Sequence, residues 1–560
     1  MRLLPGIILA ILLLLGRYAT PIVIPELGIY GMLSGVLFGL GIMVWWGFFS
    51  RAIVLERWGA IVLIIISLFL TSLLIDKSLA TAGQGFMFYI YAFPIMCLVL
   101  VGWAIVTHNF PIKIRQLTFV IIILLTCGVW MLYRIDGITG DFNPDFAWRW
   151  STTSEEQLLA RESEELLSTA PLVLDISAAE WPGFRGTNRD GIVKGIQIKT
   201  NWKDEPPKEL WRKPIGPGCS SFAVMGDLIF AQEQRGDDEL VTCYSIKTGD
   251  PVWRHHDKAR FWDSHAGAGP RSTPTISKGH VYTLGATGIL NALDAVDGHV
   301  IWSRNAVSDT DLEHSGWGYS SSPLVVDDVV IVAVVGKLIA YDLETGEPRW
   351  FGPDEGDSYS SPHLFTIDGV KQVLLMSATG ATSLNPSNGT LLWKYPWPSS
   401  SRIVQPAMAA NGDLLISHED GKGIRRIGVS NKSGEWIFED RWTSKQLRPN
   451  FNDFVIHKDH AYGFTGLNLT CIDASNGDRK WKGDRYGGQI ILLADQDLLI
   501  VLSEEGELVL VQATYDDFEE IALLEAIEGK TWNHPVLAGN ILLVRNTQEM
   551  VAYQLSIAGG

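Results

Sequence analysis

Eight polar residues recur along the C-terminal two-thirds of the chain at places where each could face one shared opening: Ser221, Thr273, Ser322, Ser361, Gln405, Asp453, Gln489 and His534. Five stand directly before a proline (Pro274, Pro323, Pro362, Pro406, Pro535), which is tolerated at the first residue of a strand with no ladder bond to lose. Beside them in sequence stand Glu233, Gln234, Arg235, Arg271, Trp317, Tyr319, Tyr359, Arg402, Arg485, Lys530, Trp532 and Asn533. Aromatic faces among several cations suit a flat anionic ligand, an anionic glycan or a peptide terminus. His534, next to Asn533, is a candidate base. Glu233 and Asp453 are candidate calcium ligands, but calcium needs several oxygens together. The competing expectation is that the eight residues line a narrow, watery channel and keep it soluble.

Composition removes other chemistries. The five cysteines, Cys97, Cys127, Cys219, Cys243 and Cys471, form no CxxC or Cys/His cluster, so no metal site is expected. Residues 1–133 carry seven Lys/Arg against three Asp/Glu, leaving 38 basic against 59 acidic residues for the remainder. Such an acidic body repels phosphate backbones, and nucleic acid is not expected as a partner.

The elements that must position the eight residues are written in a repeated phrase. NALDAVDGHVIW (291–302) recurs as TCYSIKTGDPVW, IAYDLETGEPRW, TSLNPSNGTLLW and LTCIDASNGDRKW. Each copy has a small residue (Cys243, Ala292, Ala340, Ser383, Cys471), a turn acceptor (Ser245, Asp294, Asp342, Asn385, Asp473), a glycine (Gly249, Gly298, Gly346, Gly389, Gly477) and a closing tryptophan (Trp253, Trp302, Trp350, Trp393, Trp481). A period of 40–50 residues signals an array or propeller. Around the second copy, STPTIS, HVYTLGA, GILNALD and HVIWSRN read as four short strands. The acceptor closes a turn, the glycine supplies positive φ, and the indole can pack on a neighbouring blade and donate to a carbonyl. Closing positions Trp211, Trp253, Trp302, Trp350, Trp393, Trp442 or Trp436, Trp481 and a degraded one near Ile521 make eight blades. The C-terminal tail supplies only inner strands, and residues 209–215 can add the missing outer one, closing the ring without a free edge.

Upstream, 29–49, 58–75, 86–107 and 117–133 are long and apolar enough to cross a bilayer, and 3–16 joins them if it continues past Arg17 toward Ile24, the rival reading being a signal peptide, which the lack of a clear small-residue cleavage site disfavours. Arg51 and Arg57 in one loop and Lys113 and Arg115 in another mark the cytoplasmic face, so everything after Arg134 is expected outside. Trp45, Trp46, Trp58 and Tyr133 are expected at the interfaces. The expected organisation is a transmembrane region of about five helices over 1–133, a linker over 134–180 and an all-β eight-bladed propeller over 181–560. In the linker, Thr153 and Glu156 have capping-box spacing and predict a helix of about 12 residues. The glycine-rich stretch GFRGTNRDG lacks P-loop spacing and reads as a strap leading into the propeller.

The AxDxxxGxxxW phrase is similar to that of pyrroloquinoline quinone (PQQ) propellers, which include quinoprotein alcohol and glucose dehydrogenases and a lipoprotein assisting outer-membrane barrel assembly. The order WPGFRGTNRDG, QEQRGDDE, GPRSTP, GYSSSP, SYSSP, RYGGQ, GKTWNHP and VRNTQE resembles a bacterial family of PQQ-like repeat proteins with N-terminal spans. That resemblance implies the propeller fold, which enzymes and scaffolds share. It leaves two expected functions. The first is a non-catalytic platform on the periplasmic side of the inner membrane, held by the lipid bilayer and binding a protein, peptide or glycan. The alternative is a PQQ- and calcium-dependent dehydrogenase that oxidises a sugar or alcohol and passes electrons to membrane quinone. The resemblance to membrane glucose dehydrogenases in layout speaks for the alternative. Against it, the chain has no adjacent cysteine pair like the one such alcohol dehydrogenases place over the quinone.

Overall fold

The computed structural model describes residues 2–24, 27–140, 143–161, 179–312, 316–400, 402–419 and 421–558. The chain divides into two compact units, one of residues 1–152 with 263–267, the other of 153–262 with 268–560.

The first unit holds five helices long and apolar enough to cross a membrane: Leu4–Val23, Gly28–Phe49, Val54–Ser72, Met87–Thr107 and Ile112–Trp130. The first apolar run therefore continues past Arg17, whose guanidinium lies over the Tyr91 ring at 4.7 Å. Two of the expected interfacial aromatics are not at a surface. Trp45 and Trp46 are buried among the helices, because the six-membered ring of Trp45 fills the space left by Gly6 and Trp46 meets Trp103 edge-on at 5.8 Å. Trp58 remains exposed. After the last helix the chain forms a hairpin, Tyr133–Ile138 paired with Pro144–Trp148.

The second unit is an eight-bladed propeller. Blades 1 to 7 run in sequence over 223–257, 275–305, 324–351, 363–396, 407–444, 455–485 and 489–525, each a four-stranded antiparallel meander. Blade 8 takes its three inner strands from 536–554 and its outer strand from Lys208–Pro214, with Ala552 opposite Trp211. The core is a ring of clusters between neighbouring blades. Between blades 2 and 3, for example, Tyr282, Leu290 and Trp302 pack against Val330, Val332 and Tyr341.

The repeated phrase is a fastener with three fitted parts. Its small residue stands across the ladder from the tryptophan, as in Cys243–Trp253, Ala292–Trp302, Ala340–Trp350, Ser383–Trp393 and Cys471–Trp481, leaving room for the indole. The acceptor caps its turn: Asp342 Oδ1 accepts from the N–H groups of Glu344 at 3.0 Å and Thr345 at 2.8 Å. The glycine has positive φ and is also where the preceding blade's indole presses. A Cβ on Gly346 would come within 2.6 Å of Trp302, and one on Gly298 within 2.4 Å of Trp253. Each indole then donates to the carbonyl just past the acceptor in the next blade, as from Trp302 to Leu343 at 3.1 Å and Trp350 to Pro386 at 2.9 Å.

Trp442, not Trp436, closes blade 5, donating to Ala474 at 3.1 Å. Trp393 is the exception. Blade 5 replaces the tight turn with a long hairpin, Gly423–Lys432 and Glu435–Ser444, and the Trp393 indole donates instead to Gln372 Oε1 at 2.6 Å.

The helix after the first unit is described over Ser154–Arg161, and the rest of its expected length lies outside the described residues. Its capping box is formed: Thr153 N–H donates to Glu156 Oε2 at 2.7 Å and Glu156 N–H to Thr153 Oγ1 at 3.0 Å.

Candidate functional site

The eight polar residues that open the inner strands form a girdle around the propeller axis. In blades 1 to 6 the N–H of the residue that opens the inner strand is accepted by a side chain of the next blade. Ser221 N–H donates to Thr273 Oγ1 at 3.1 Å, Thr273 N–H to Ser322 Oγ at 3.0 Å, and Ser322 N–H to Ser361 Oγ at 2.9 Å. Ser361 N–H reaches Gln405 Oε1 at 3.0 Å with that amide turned to satisfy its neighbours. Gln405 N–H then donates to Asp453 Oδ1 at 2.8 Å and Asp453 N–H to Gln489 Oε1 at 3.3 Å. Ser221 Oγ donates back to the His534 carbonyl at 2.6 Å. Most of the eight are buried. In six of them, Thr273, Ser322, Ser361, Gln405, Asp453 and Gln489, the polar group thus answers a backbone donor of the preceding blade, a requirement of buried peptide groups.

The strap 181–193 occupies the axis itself. Trp181 bridges to Val224 of blade 1, the Pro182 carbonyl accepts from Ile276 N–H of blade 2 at 2.7 Å, and Ile192–Val193 pairs in parallel with Leu492 and Leu493 of blade 7. Two buried arginines extend from it. Arg189 donates to the Ser322 and Pro323 carbonyls of blade 3 at 2.9 and 2.7 Å. Arg185 donates to the Phe454 carbonyl of blade 6 at 2.7 Å and lies 3.7 Å from Asp453. Both arginine residues adopt positive φ. Phe184 meets the His534 ring edge-on at 5.1 Å. Burial, with Arg185 nearby, lowers the Arg189 guanidinium to about 9.

The electrostatics follow from this packing. Burial raises the Asp453 carboxyl, but Arg185, His534 and the Gln405 N–H more than offset it and hold it below its usual range. His534 is pushed down by burial, against the opposing pull of Asp453, and its Nε2 lies 3.1 Å from Asp453 Oδ2. A carboxylate oxygen can only accept there, so Nε2 carries the proton. His363, two residues beyond Ser361 in blade 4, is driven to about 3 by burial and by Arg189 and Arg185.

The flanking residues divide into two groups. Glu233 is completely buried in blade 1. Its Oε1 accepts from Thr242 and Tyr244 hydroxyls at 2.7 Å each, its Oε2 accepts from Gly216 N–H at 2.5 Å, and Arg235 lies 3.3 Å away. Burial raises its carboxyl, but Arg235 and these donors outweigh that and hold it at about 2. Gln234 donates to the Gly236 and Ala259 carbonyls. Gln489 donates to the Phe451 and Trp532 carbonyls, and Asn533 to those of Gly218 and Ser220. Arg402 is fully buried on carbonyls of Ser377, Ser417 and Trp397. These side chains hold loops together.

The second group rims the mouth. Trp317, 38% exposed, lies 5.1 Å from the Tyr359 ring, and Arg271 donates to the Trp317 carbonyl at 3.4 Å. Trp532 lies 5.1 Å from Phe451, with Lys530 Nζ 3.7 Å over its ring and its indole N–H on Glu504 at 2.6 Å. The first pair stands on the loops entering blades 3 and 4, the second on those entering blades 6 and 8, so eight-fold geometry sets them nearly opposite. Arg485 ends the outer strand of blade 6, opposite Asn468, and Cys219 is half-buried, with Arg271 3.9 Å from its sulfur.

The sequence placed Arg185 and Arg189 in a hydrogen-bonded strap but not among the site residues, and it gave no sign of His363. The only signal for the arginines was two cations in a glycine-rich strap with no phosphate-loop spacing.

The donor set does not suit calcium and PQQ at these positions. Both oxygens of Glu233 and both of Asp453 already accept bonds, and Arg235 and Arg402 are committed inside the fold.

A family model described as outer membrane protein assembly factor BamB matches residues 202–361 and 307–516. The BamB of Yersinia pestis is 24% identical over 321 residues, 54% of this chain and 69% of its own length. The quinohemoprotein alcohol dehydrogenase ADH-IIG of Pseudomonas putida is 24% identical over 314 residues, 52% of this chain but 36% of its own. The crystal structure of quinohemoprotein alcohol dehydrogenase from Comamonas testosteroni matches with a TM-score of 0.51 at 13% identity, covering 73% of this chain and 85% of that one. At that identity the match speaks for the fold alone.

Proposed function

The chain belongs to the family of outer membrane protein assembly factor BamB, and from that membership we propose that it is a membrane-anchored, non-catalytic binding platform whose propeller mouth receives a protein partner. One observation carries this reading: the strap fills the axis and the girdle spends its polar groups on backbone, so the rim is where accessible aromatic and cationic side chains remain. The rim offers two opposed aromatic pairs, Trp317 with Tyr359 and Trp532 with Phe451, each beside a cation, Arg271 or Lys530. Aromatic anchors next to cations are the residue types that dominate binding energy at protein interfaces. The relatives' name, a factor in assembling outer membrane proteins, favours a protein or peptide over a glycan. Arg51, Arg57, Lys113 and Arg115 favour a cytoplasmic face for their loops and a periplasmic propeller.

The dehydrogenase reading has likeness of fold in its favour, but the would-be ligands of its cofactor are engaged elsewhere. In-cell photo-crosslinking from positions 317 and 532 tests the platform. One dominant extracytoplasmic protein should be captured from both, and its capture from position 317 should fall when Arg271 and Trp532 become Ala. Capture of no protein, or undiminished capture by that variant, overturns the proposal. So would PQQ uptake with dye-reducing activity on sugars or alcohols.

A further inference from the structure

Blade 7 lacks a glycine in its third-to-outer turn, ATYDDFEE, and a cavity of about 450 Å³ opens beside that turn, between blades 6 and 7. It is independent of the mouth. His460 lines it, 9% exposed, with its ring stacked on Tyr515 at 4.7 Å. His460 Nδ1 lies 2.8 Å from the Lys458 carbonyl. A carbonyl only accepts, so Nδ1 holds the proton and Nε2 presents a lone pair. That buried Nε2 has no partner among the described residues.

The rest of the lining carries four carboxylates, Asp497, Asp516, Asp517 and Glu519, against one cation, Lys458. Asp497 is bound by Lys458 at 2.7 Å and by His457. Asp516, Asp517 and Glu519 line the same cavity and form no ion pair among the described residues. A buried lone-pair acceptor beside three exposed carboxylates that pair with no cation among the described residues suits a cation that donates several hydrogen bonds. A bare metal ion fits less well. Among the described residues, the only acidic and histidine group with ligand atoms mutually within 4.8 Å is Asp294, Asp297 and His299, and the cavity far exceeds one ion.

We propose that this cavity binds a guanidinium, the side chain of an arginine in a basic segment of a partner protein. A planar fork of donors can serve a carboxylate and the imidazole lone pair together. The test is calorimetric titration of the full chain in detergent with agmatine, an alkylguanidinium.

Saturable one-to-one binding is expected. It should weaken about ten-fold, the scale of one charge-assisted hydrogen bond, in His460→Phe, which keeps the ring stack, and in Glu519→Gln, which is exposed and leaves the core untouched. Asp297→Asn, in a different acidic turn, should bind as the parent does. No saturation, equal binding by His460→Phe and Glu519→Gln, or zinc binding lost in those variants without agmatine binding would overturn the proposal.

Discussion

The outer edge of the propeller and its axis solve the same problem, joining one blade to the next, by opposite means. At the edge the join is one phrase used repeatedly: an indole of one blade seated on a glycine of the next and donating past its turn acceptor. At the axis the join runs in the same direction, from one blade's N–H to the next blade's side chain. There the acceptor is a hydroxyl, an amide or a carboxylate, whichever fits. The edge must hold the same shape repeatedly, so its residues repeat. The axis need only supply an oxygen, so it varies, and a single strap locks it through backbone carbonyls.

The most damaging single change should therefore be in the fastener. Trp302→Ala empties the seam between blades 2 and 3 and should destabilise the propeller by about 3–5 kcal/mol, read from urea unfolding followed by intrinsic fluorescence. A loss under about 1 kcal/mol would mean that the seam does not depend on the indole.

Next comes the strap. Arg189→Ala strips the buried carbonyls of Ser322 and Pro323 of a charged donor and should cost about 2–3 kcal/mol. Arg189→Lys should recover only part, because one ammonium cannot reproduce the two-pronged contact. Equal stability of the Lys variant and the parent would refute that geometric role.

A smaller, pH-shaped effect separates two buried acids of blade 1. Burial, with Asp257 adding to it and the Ala286 and Thr287 N–H groups and Arg271 opposing, raises Glu239 to about 7, while Glu233 is held at about 2. A raised acid favours the fold when protonated. Glu239 should thus contribute most below its unfolded value near 4.5 and lose that contribution as pH rises through 7. Glu239→Gln should flatten the stability profile between about pH 5 and 8. Glu233 has the opposite sign: its contribution is present above about 4.5 and fades as pH falls toward 2. Unchanged slopes between pH 5 and 8 in Glu239→Gln would sink this assignment.

The smallest structural effect should come from the rim. Trp317→Ala, at a partly exposed site, should shift stability by about 0.5 kcal/mol or less while reducing crosslinking to the partner. Large destabilisation would make Trp317 a packing residue and weaken its role in recognition.

The eight residues of the girdle could be found from the sequence because each stands where an inner strand begins after a closing tryptophan strand, and in five of them a following proline marks the place. What they do there could not. Ser322 reads equally well as a channel lining and as the acceptor for Thr273 N–H, and only the neighbouring blade's position decides. Glu233 and Arg402 looked like ligand donors for the same reason: their charge was visible, while their partners Gly216, Thr242, Ser377 and Trp397 were not. Trp45 and Trp46 stood at a span end, yet the missing side chain of Gly6 on another helix draws Trp45 inward.

By itself the sequence determined the blade, its count and its fastener, together with the apolar helices, because each is a pattern of near neighbours: alternation, a turn acceptor, a glycine at a fixed offset, a run of apolar residues. Tertiary structure alone decided what fills the axis. Arg189 meets carbonyls 133 and 134 residues away, and Arg185 meets one 269 residues away. Every residue carries a carbonyl, so no residue type announces such a partner. Only closing the ring brings it within reach.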